Sequence, residues 1–595
     1  MPNLQELQQY KNIHMIGIGG SSMSGIAEIL KKWNFNVTGS DSTESEVTND
    51  LIANDIPVYI GSNPMNVDRC DLVVYSAAIK PENPELVRAR ELGIPTVERK
   101  EIMGELTRAF RNSICVSGTH GKSTTTSMIA QCFLDAQKDP TIQIGAVLDS
   151  IGGNYRVGES EYFIIEACEY SASFLDFFPK VEVILNIDND HLDYYKTMEN
   201  VKAAFVEYVK LLPDDGILVY NADDENCRGL SAHTKAKCIS FSTKTNKANF
   251  TAKNISYDAN GCASFDVYKN NAFYKTFKLG VPGEHNVYDA LACIAVCSQF
   301  DIDKNSVKDT LKVYGGAERR FQYLGEVNGA KVYDDYGHHP TEILAVANAV
   351  KKRKYNHSWV LFQPHTFSRT KALLDDFASV LTNFDNIIVT DIYAAREIDN
   401  HEVSARDIID KIEALGRKAY YIKDLESIVD FVRRNAKEDD IIIAQGAGTI
   451  TQVGHELVQY PTSTPTSNDD CCGACAPVEE AQQEATVETV QPSYETSEPV
   501  VESSNYATES QPVEETTESV ETQSETPVEN NYNNNYNNNY SNNNNNSYSN
   551  NNYHNNNYHN NNNNNYHGHH NHYNNYNHNH NHNHDNNKFG NRFNH

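Results

Sequence analysis

The chain has 595 residues, with 80 acidic side chains against 50 basic ones and a formal net charge of −30 at pH 7. That balance argues against nonspecific nucleic-acid binding, which needs basic surface to displace counterions. At roughly 100–200 residues per domain several domains fit, and no apolar run approaches the length that spans a bilayer.

Composition changes sharply near Tyr460. Before it the sequence alternates apolar runs with polar turns. Beyond it Leu, Ile and Met disappear, and 17 acidic residues stand against two basic ones. The segment 461–595 runs from Ser/Thr/Glu/Pro-rich to Asn/Tyr/His-rich and is expected to be disordered, because it offers too little apolar area to offset chain entropy. Nine of the twelve cysteines lie singly in the globular part, mostly inside apolar runs. That is the pattern of reduced core thiols. With no N-terminal apolar segment of the kind that directs secretion, the expectation is a cytoplasmic protein.

Three α/β patterns follow one another, expected over residues 1–109, 110–316 and 317–460. The first opens with a strand from Asn12 to Ile16, a turn Gly17-Ile18-Gly19-Gly20 and a helix from Ser22 to Trp33. A strand from Asn36 to Thr38 then leads to Gly39-Ser40-Asp41. A glycine turn between strand and helix, with an acid about twenty residues on, suits a nucleotide's phosphate and ribose. Taken alone it fits a dinucleotide site, a nucleoside-diphosphate site or a packing turn.

The second pattern carries the strongest signal. After the apolar run Ser113-Ile114-Cys115-Val116 comes Ser117-Gly118-Thr119-His120-Gly121-Lys122-Ser123-Thr124-Thr125-Thr126, opening into a helical stretch. Glycines let backbone N–H groups close around phosphate oxygens at a helix N-terminus. Lys122 offers a point charge for the outer phosphates, and the Ser123 hydroxyl suits Mg²⁺. Val116 stands where the general phosphate loop has its first glycine, so this is the shorter GTxGK[ST]T form. It reads as a nucleoside-triphosphate site.

Downstream, near-continuous apolar runs at Tyr162–Glu166 and Val181–Asn186 read as strands buried on both faces. Glu166 and Glu169 follow the first run; Asp190, His191 and Asp193 follow the second. Strand C-terminal ends are where α/β sheets place ligands, and carboxylate with imidazole beside Ser123 fits divalent cations. The stretch 248–278 reads as added antiparallel strands, and 281–286 leads into a helix from Val287 to Phe300.

The third pattern alternates most regularly, with strands at 331–335, 359–363, 386–391, 419–422 and 440–444. Ser404 and Asp407 resemble a helix-start cap with its reciprocal acid. A parallel sheet of Rossmann type is the expectation. The predicted fold class is therefore α/β: three domains with parallel Rossmann-like sheets, the central one of phosphate-loop ATPase type, followed by a low-complexity tail.

Taken in order, these motifs resemble the Mur ligases. The matching segments are 17–27, 118–126, 166–175, 190–193, 283–286, 319–321, 334–340, 363–370 and 391–397. The resemblance is closest to the alanine-adding branch and implies a three-domain enzyme using ATP and Mg²⁺. It implies that the lactyl carboxylate of UDP-N-acetylmuramate is activated as an acyl phosphate and then attacked by the amine of L-alanine.

By the same resemblance, Gly118, Thr119, His120, Gly121, Lys122, Ser123 and Thr124 cradle ATP, with Lys122 on the outer phosphates. Ser123, Glu166 and His191 serve the metal, and His285 and Asn286 lie at the adenine. Arg320 and Asp335 reach the nucleotide from the third domain. Gly19, Gly20, Ser21 and Asp41 face the UDP moiety, while His339, His365 and Arg369 lie near the acceptor carboxylates. The implied partners are these small molecules, with no nucleic acid and no membrane, and the oligomeric state is not implied.

Three departures stand out. Asp289 occupies a helix position where the family usually has Asn, and Glu318 replaces a glycine expected near Arg319. The region Ala204-Phe205-Val206-Glu207 lacks the modified lysine of some sister ligases, in keeping with the alanine-adding branch. Rival readings are a recycling ligase that attaches a ready-made peptide to the same UDP-sugar, and a nicotinamide-dependent dehydrogenase built on the first βαβ unit. In the tail, Cys471-Cys472-Gly473-Ala474-Cys475 and the C-terminal histidines are of a kind that binds Zn²⁺ or Ni²⁺, against the plainer reading of an unstructured extension.

Overall fold

The computed structural model describes residues 7–459; the expected tail, with its cysteine and histidine clusters, lies outside the described residues. The described chain carries three sheets in succession.

The first holds β1 (Asn12–Ile16), β2 (Asn36–Asp41), β3 (Val58–Ile60), β4 (Leu72–Tyr75) and β5 (Thr96–Glu98). All pairs are parallel, in the order β3-β2-β1-β4-β5. Helix α1 (Ser21–Lys32) follows β1 and buries Met23, Ile26, Ile29 and Leu30, spaced three and four residues apart. That spacing is what one helix face supplies.

The central sheet comprises β6 (Asn112–Ser117), β7 (Thr141–Leu148), β8 (Gly153–Arg156), β9 (Tyr162–Glu166), β10 (Val181–Ile184), β11 (Ile217–Asn221), β12 (Lys237–Ser242), β13 (Phe250–Tyr257), β14 (Cys262–Lys269) and β15 (Ala272–Pro282). Its order is β15-β14-β13-β12-β11-β10-β6-β9-β7-β8. Pairing is parallel from β13 through to β7, while β14, β15 and β8 join antiparallel. Strand β6 lies between β10 and β9, so the chain leaves it at a reversal of strand order, where such sheets open a crevice. Two helices fill the face behind that crevice: α2 (Lys122–Asp135) and α3 (His285–Cys297). Met128, Ile129 and Phe133 of α2 pack with Val287, Leu291 and Ile294 of α3 in one apolar cluster.

The third sheet holds β16 (Gln322–Val327), β17 (Ala330–Asp335), β18 (Ser358–Phe362), β19 (Asn386–Val389), β20 (Tyr420–Tyr421) and β21 (Ile441–Gln445), in the order β16-β17-β21-β18-β19-β20. Only the β16–β17 pair is antiparallel. Helix α4 (Pro340–Lys351) follows β17; its entry is fixed by a proline at its first position and by Glu342 reaching back to the cap. The Ser404–Asp407 cap forms as expected.

The sheets are joined in two different ways. One apolar cluster runs from Ile13, Ile26 and Phe35 of the first sheet region into Phe110, Phe163 and Phe205 of the central one. Rings carry it across, with Trp33 5.5 Å from Phe110 and Phe110 5.0 Å from Phe163. The third sheet packs its apolar side chains among themselves and meets the central sheet through polar contacts. Among the described residues no helix is long and apolar enough to cross a membrane, and all nine described cysteines are free thiols.

Candidate active site

The loop after β6 turns on two glycines with positive φ, Gly118 at 131° and Gly121 at 85°. A Cβ on Gly121 would sit 2.6 Å from Asp289 Oδ1, and one on Gly118 would sit 3.1 Å from the Asn186 backbone. Both the backbone angle and the space therefore require glycine. Asn186 clamps the loop: its Oδ1 accepts from His120 N–H at 2.8 Å and its Nδ2 donates to the His120 carbonyl at 2.9 Å. Sequence reading put Asn186 in a strand; the strand ends at Ile184, which frees that side chain to turn into the loop.

Lys122 Nζ donates to the carbonyls of Gly118 and Thr119 at 2.6 and 3.0 Å and pairs with Glu169 Oε2 at 2.9 Å. Burial works against its charge, but the Glu169 carboxylate more than offsets this and its pKa rises. Glu169 also meets His191 Nε2 at 3.6 Å, and Asp190 Oδ2 lies 3.8 Å from the same nitrogen. His191 holds a left-handed backbone, φ 58°, at the start of a short helix, and its ring lies 4.9 Å from that of Tyr170. Beside this group, Ser123 Oγ donates to Glu166 Oε2 at 2.8 Å, and the Gly145 N–H donates to the same oxygen at 2.8 Å. A hydroxyl and a carboxylate at a helix N-terminus form a hard-oxygen donor pair of the kind Mg²⁺ takes. The side chain of Asp193 lies outside the described set.

Two cavities, each about 520 Å³, lie in this region, and the loop lines one of them. The first is walled by His120, Gly121, Thr124, His285, Asn286, Asp289, Arg320 and Asp335. Asn286 donates through Nδ2 to the Pro282 carbonyl at 2.6 Å, while its buried Oδ1 has no partner. Crowding by the cavity wall, with the charges of Lys352 and Arg320, lowers the pKa of His285 although its side chain stays exposed to the cavity, so its ring is neutral. Arg320 reaches across from the third sheet region and donates to Ser123 Oγ at 3.3 Å. Arg319, its neighbour, instead pairs with the fully buried Asp334 at 3.0 Å. Asp335 accepts from the N–H groups of Phe321 and Gly337 and from Gln445 Nε2. Burial pushes its pKa up to about 6 against the pull of Arg320.

The second cavity is lined by Tyr170, Asp190, His191, His338, His365 and Arg369, among others. Arg369 donates to Asp190 Oδ1 through Nε at 3.2 Å and Nη2 at 3.0 Å, and its Nη1 lies 3.3 Å from His365 Nδ1. Burial and the Arg369 charge push His365 down to about 4. His339 takes a different place: its ring lies 4.9 Å from His120, its Nε2 lies 3.3 Å from the Asn189 carbonyl, and His338 is the histidine that lines the cavity.

In the wall of the first cavity lies a cluster that the sequence does not announce. His120 Nε2 lies 3.0 Å from Asp188 Oδ2, and its Nδ1 is 3.4 Å from Glu342 Oε1, an ion-pair contact whose angle makes no hydrogen bond. Thr341 Oγ1 donates to the same Asp188 oxygen at 2.8 Å. Burial opposes charge on His120, but Asp188 and Glu342 overcome it and lift its pKa to about 9.

Gly19, Gly20, Ser21 and Asp41 gather away from these cavities, at the C-terminal edge of the first sheet. The Gly19 N–H donates to Asp41 Oδ2 at 2.9 Å, and Gly20 caps α1, which begins at Ser21.

Comparison with known proteins follows the same three regions. Family profiles described as Mur ligase family, catalytic domain; Mur ligase middle domain; and Mur ligase, glutamate ligase domain match residues 12–111, 116–297 and 319–448. A UDP-N-acetylmuramate–L-alanine ligase of Acetivibrio thermocellus is 46% identical over 451 residues, covering 76% of this chain and 96% of that protein. One of Clostridium novyi is 46% identical over 449 residues, covering 76% and 97%. Among solved structures, a UDP-N-acetylmuramate–alanine ligase of Thermotoga maritima matches with TM-score 0.64 and 30% identity, over 75% of this chain and 98% of that one. A murein peptide ligase of Psychrobacter arcticus shares the fold at TM-score 0.57 and 23% identity, over 75% and 98%. The chain belongs to the Mur ligase family.

Proposed function

We propose that the chain is an ATP-dependent ligase that joins L-alanine to the lactyl carboxylate of UDP-N-acetylmuramate, a step of peptidoglycan precursor synthesis. The observation that carries this reading is the convergence on Glu169. It touches both Lys122 of the phosphate loop and His191 at the mouth of the second cavity. One buried carboxylate thus links the phosphate loop to the lining of the second cavity.

In this reading three domains, 1–109, 110–316 and 317–460, divide the work, and the enzyme acts in the cytoplasm. Gly19, Gly20, Ser21 and Asp41 serve the UDP moiety. The first cavity takes ATP: the unpaired Asn286 Oδ1 and neutral His285 suit an adenine edge, and the N–H groups from Gly118 to Thr124 suit its phosphates. Lys122 and Arg320 oppose the charge that builds as the terminal phosphoryl group passes to the lactyl carboxylate, the stabilisation such transfers require. Asp335 holds the loop that carries Arg320 by accepting from Phe321 N–H. Ser123 and Glu166, with His191 of the same sheet region, would hold Mg²⁺, which would supply neutralising charge.

Arg369 and His365 suit the alanine carboxylate, for which a guanidinium offers fork geometry. The acyl phosphate loses phosphate when the alanine amine attacks its carbonyl carbon, leaving an amide, ADP and phosphate.

Mass analysis of the product from purified protein, ATP and UDP-N-acetylmuramate, with either L-alanine or the tripeptide, tests the assignment. An alanyl product is expected. A product formed only with the tripeptide would move the chain to the recycling reaction. A dehydrogenase is not favoured, since it leaves the central sheet's loop and both cavities without use.

A further inference from the structure

One charged side chain in the nucleotide cavity has no evident place in that reading. Asp289 lies on α3 and is only 5% exposed. Its carboxyl group points back beneath the phosphate loop, so that a Cβ on Gly121 would come within 2.6 Å of Oδ1. Thr125 Oγ1 on α2 donates to Oδ1 at 3.1 Å, whereas the buried Oδ2 has no hydrogen-bond partner. The residue lines the same cavity as Gly121, Thr124 and Arg320.

An ionised carboxylate is a poor occupant of this position. It would stand at the helix N-terminus meant for phosphate and compete with it for the same positive dipole end. Its second oxygen would be buried without a donor, which costs more for a charged group than for a neutral one. A protonated acid removes the first objection and lessens the second, since Oδ1 still accepts from Thr125 and the unpartnered oxygen no longer carries charge. An asparagine has that same shape and that same neutral, half-donor and half-acceptor character.

We propose that Asp289 is a positioning residue that works as a neutral acid, bracing the phosphate loop for the triphosphate, and that its ionisation weakens nucleotide binding. The groups that face it are few. Arg320, from the third sheet region, favours the ionised form, as does the Thr125 hydrogen bond; Tyr314, after the central sheet, feels the carboxylate's charge. Burial outweighs them and pushes the acid up to about 7. Nucleotide affinity therefore falls as the pH rises through neutrality, the direction set by an acid that is neutral below its pKa.

This inference rests on the ATP reading, and the test separates the two. Binding of ATP with Mg²⁺ to the full chain is measured without turnover from about pH 6 to about pH 8.5, for the parent, Asp289→Asn and Asp289→Ala. UDP-sugar binding in the same samples reports folding. The ionisation of ATP itself acts on all three proteins alike, so the ratio of parent to variant Kd is the readout. That ratio is expected to rise about five- to tenfold across the range against either variant, as a like charge in a partly desolvated site dictates. Asp289→Asn should match the parent at the acid end, and Asp289→Ala should bind more weakly throughout. A ratio that stays flat with both variants overturns the proposal, and one variant that binds UDP-sugar suffices to decide. Absence of ATP binding by the parent at every pH would instead overturn the nucleotide reading.

Discussion

In the proposed reaction Lys122 is the side chain on which the chemistry turns. It is half-buried, it is held by two loop carbonyls, and its charge is balanced by Glu169. Lys122→Ala should abolish ADP formation, with a loss of at least about a thousandfold in kcat, in the range of removing a main electrostatic stabiliser. UDP-sugar binding, read by titration, should be spared, because the residues proposed for it sit on the first sheet. Loss of both would mean that the substitution disrupts the fold. Glu166→Ala removes half of the Ser123–Glu166 oxygen pair and should lower turnover by about ten- to a hundredfold, partly restored by raised Mg²⁺. A rate indifferent to Mg²⁺ would remove Glu166 from the metal site.

At the scale of elements, the joint between the phosphate loop and α4 is electrostatic. His120 belongs to the loop, Asp188 to the segment after β10, and Glu342 to the first turn of α4. Because the folded pKa of His120, about 9, lies above its ordinary value near 6.5, the pairing contributes fully below about pH 6.5. That contribution is lost as the pH rises through about 9. Thermal melts across this range should show the parent losing its advantage over His120→Asn, with the two Tm values converging at the alkaline end. A constant gap would assign His120 a packing role only.

The elements were largely legible before any coordinates, for local reasons. Buried runs such as Val181–Ile184 admit no solvent face, and glycines at Gly118 and Gly121 mark turns that other residues resist. The meeting of Ser123 with Glu166 likewise followed from a strand end, whereas the pairing of Lys122 with Glu169 did not. What stayed hidden were the pairs across the seam: His120 with Glu342, Asp188 with Thr341, and Asp190 with Arg369. Each joins segments more than 150 residues apart, and no local periodicity encodes such a meeting. His338, rather than His339, lines the acceptor cavity for a similar reason, since α4 starts immediately after His339 and turns that ring toward His120.

Across the whole molecule the two junctions differ in kind. The first and central sheets share an apolar cluster, while the third meets the central one through Arg320–Ser123, Thr341–Asp188, Arg369–Asp190 and Lys352–Glu284. Apolar burial resists separation; polar contacts can be exchanged for water or for ligand groups at little net loss. All three sheets and both cavities are built from residues before 460. A chain ending at Tyr460 should therefore turn over within about twofold of the full chain, since surface changes away from such features have small effects. A large loss would place part of the machinery in the last segment.

The proposed transfer of the terminal phosphoryl group to a sugar acid can be followed through the acid's own oxygen. With oxygen-18 in the lactyl carboxylate, turnover with ATP and L-alanine should release inorganic phosphate carrying one labelled oxygen. Unlabelled phosphate, with the alanyl product still formed, would contradict the acyl-phosphate route.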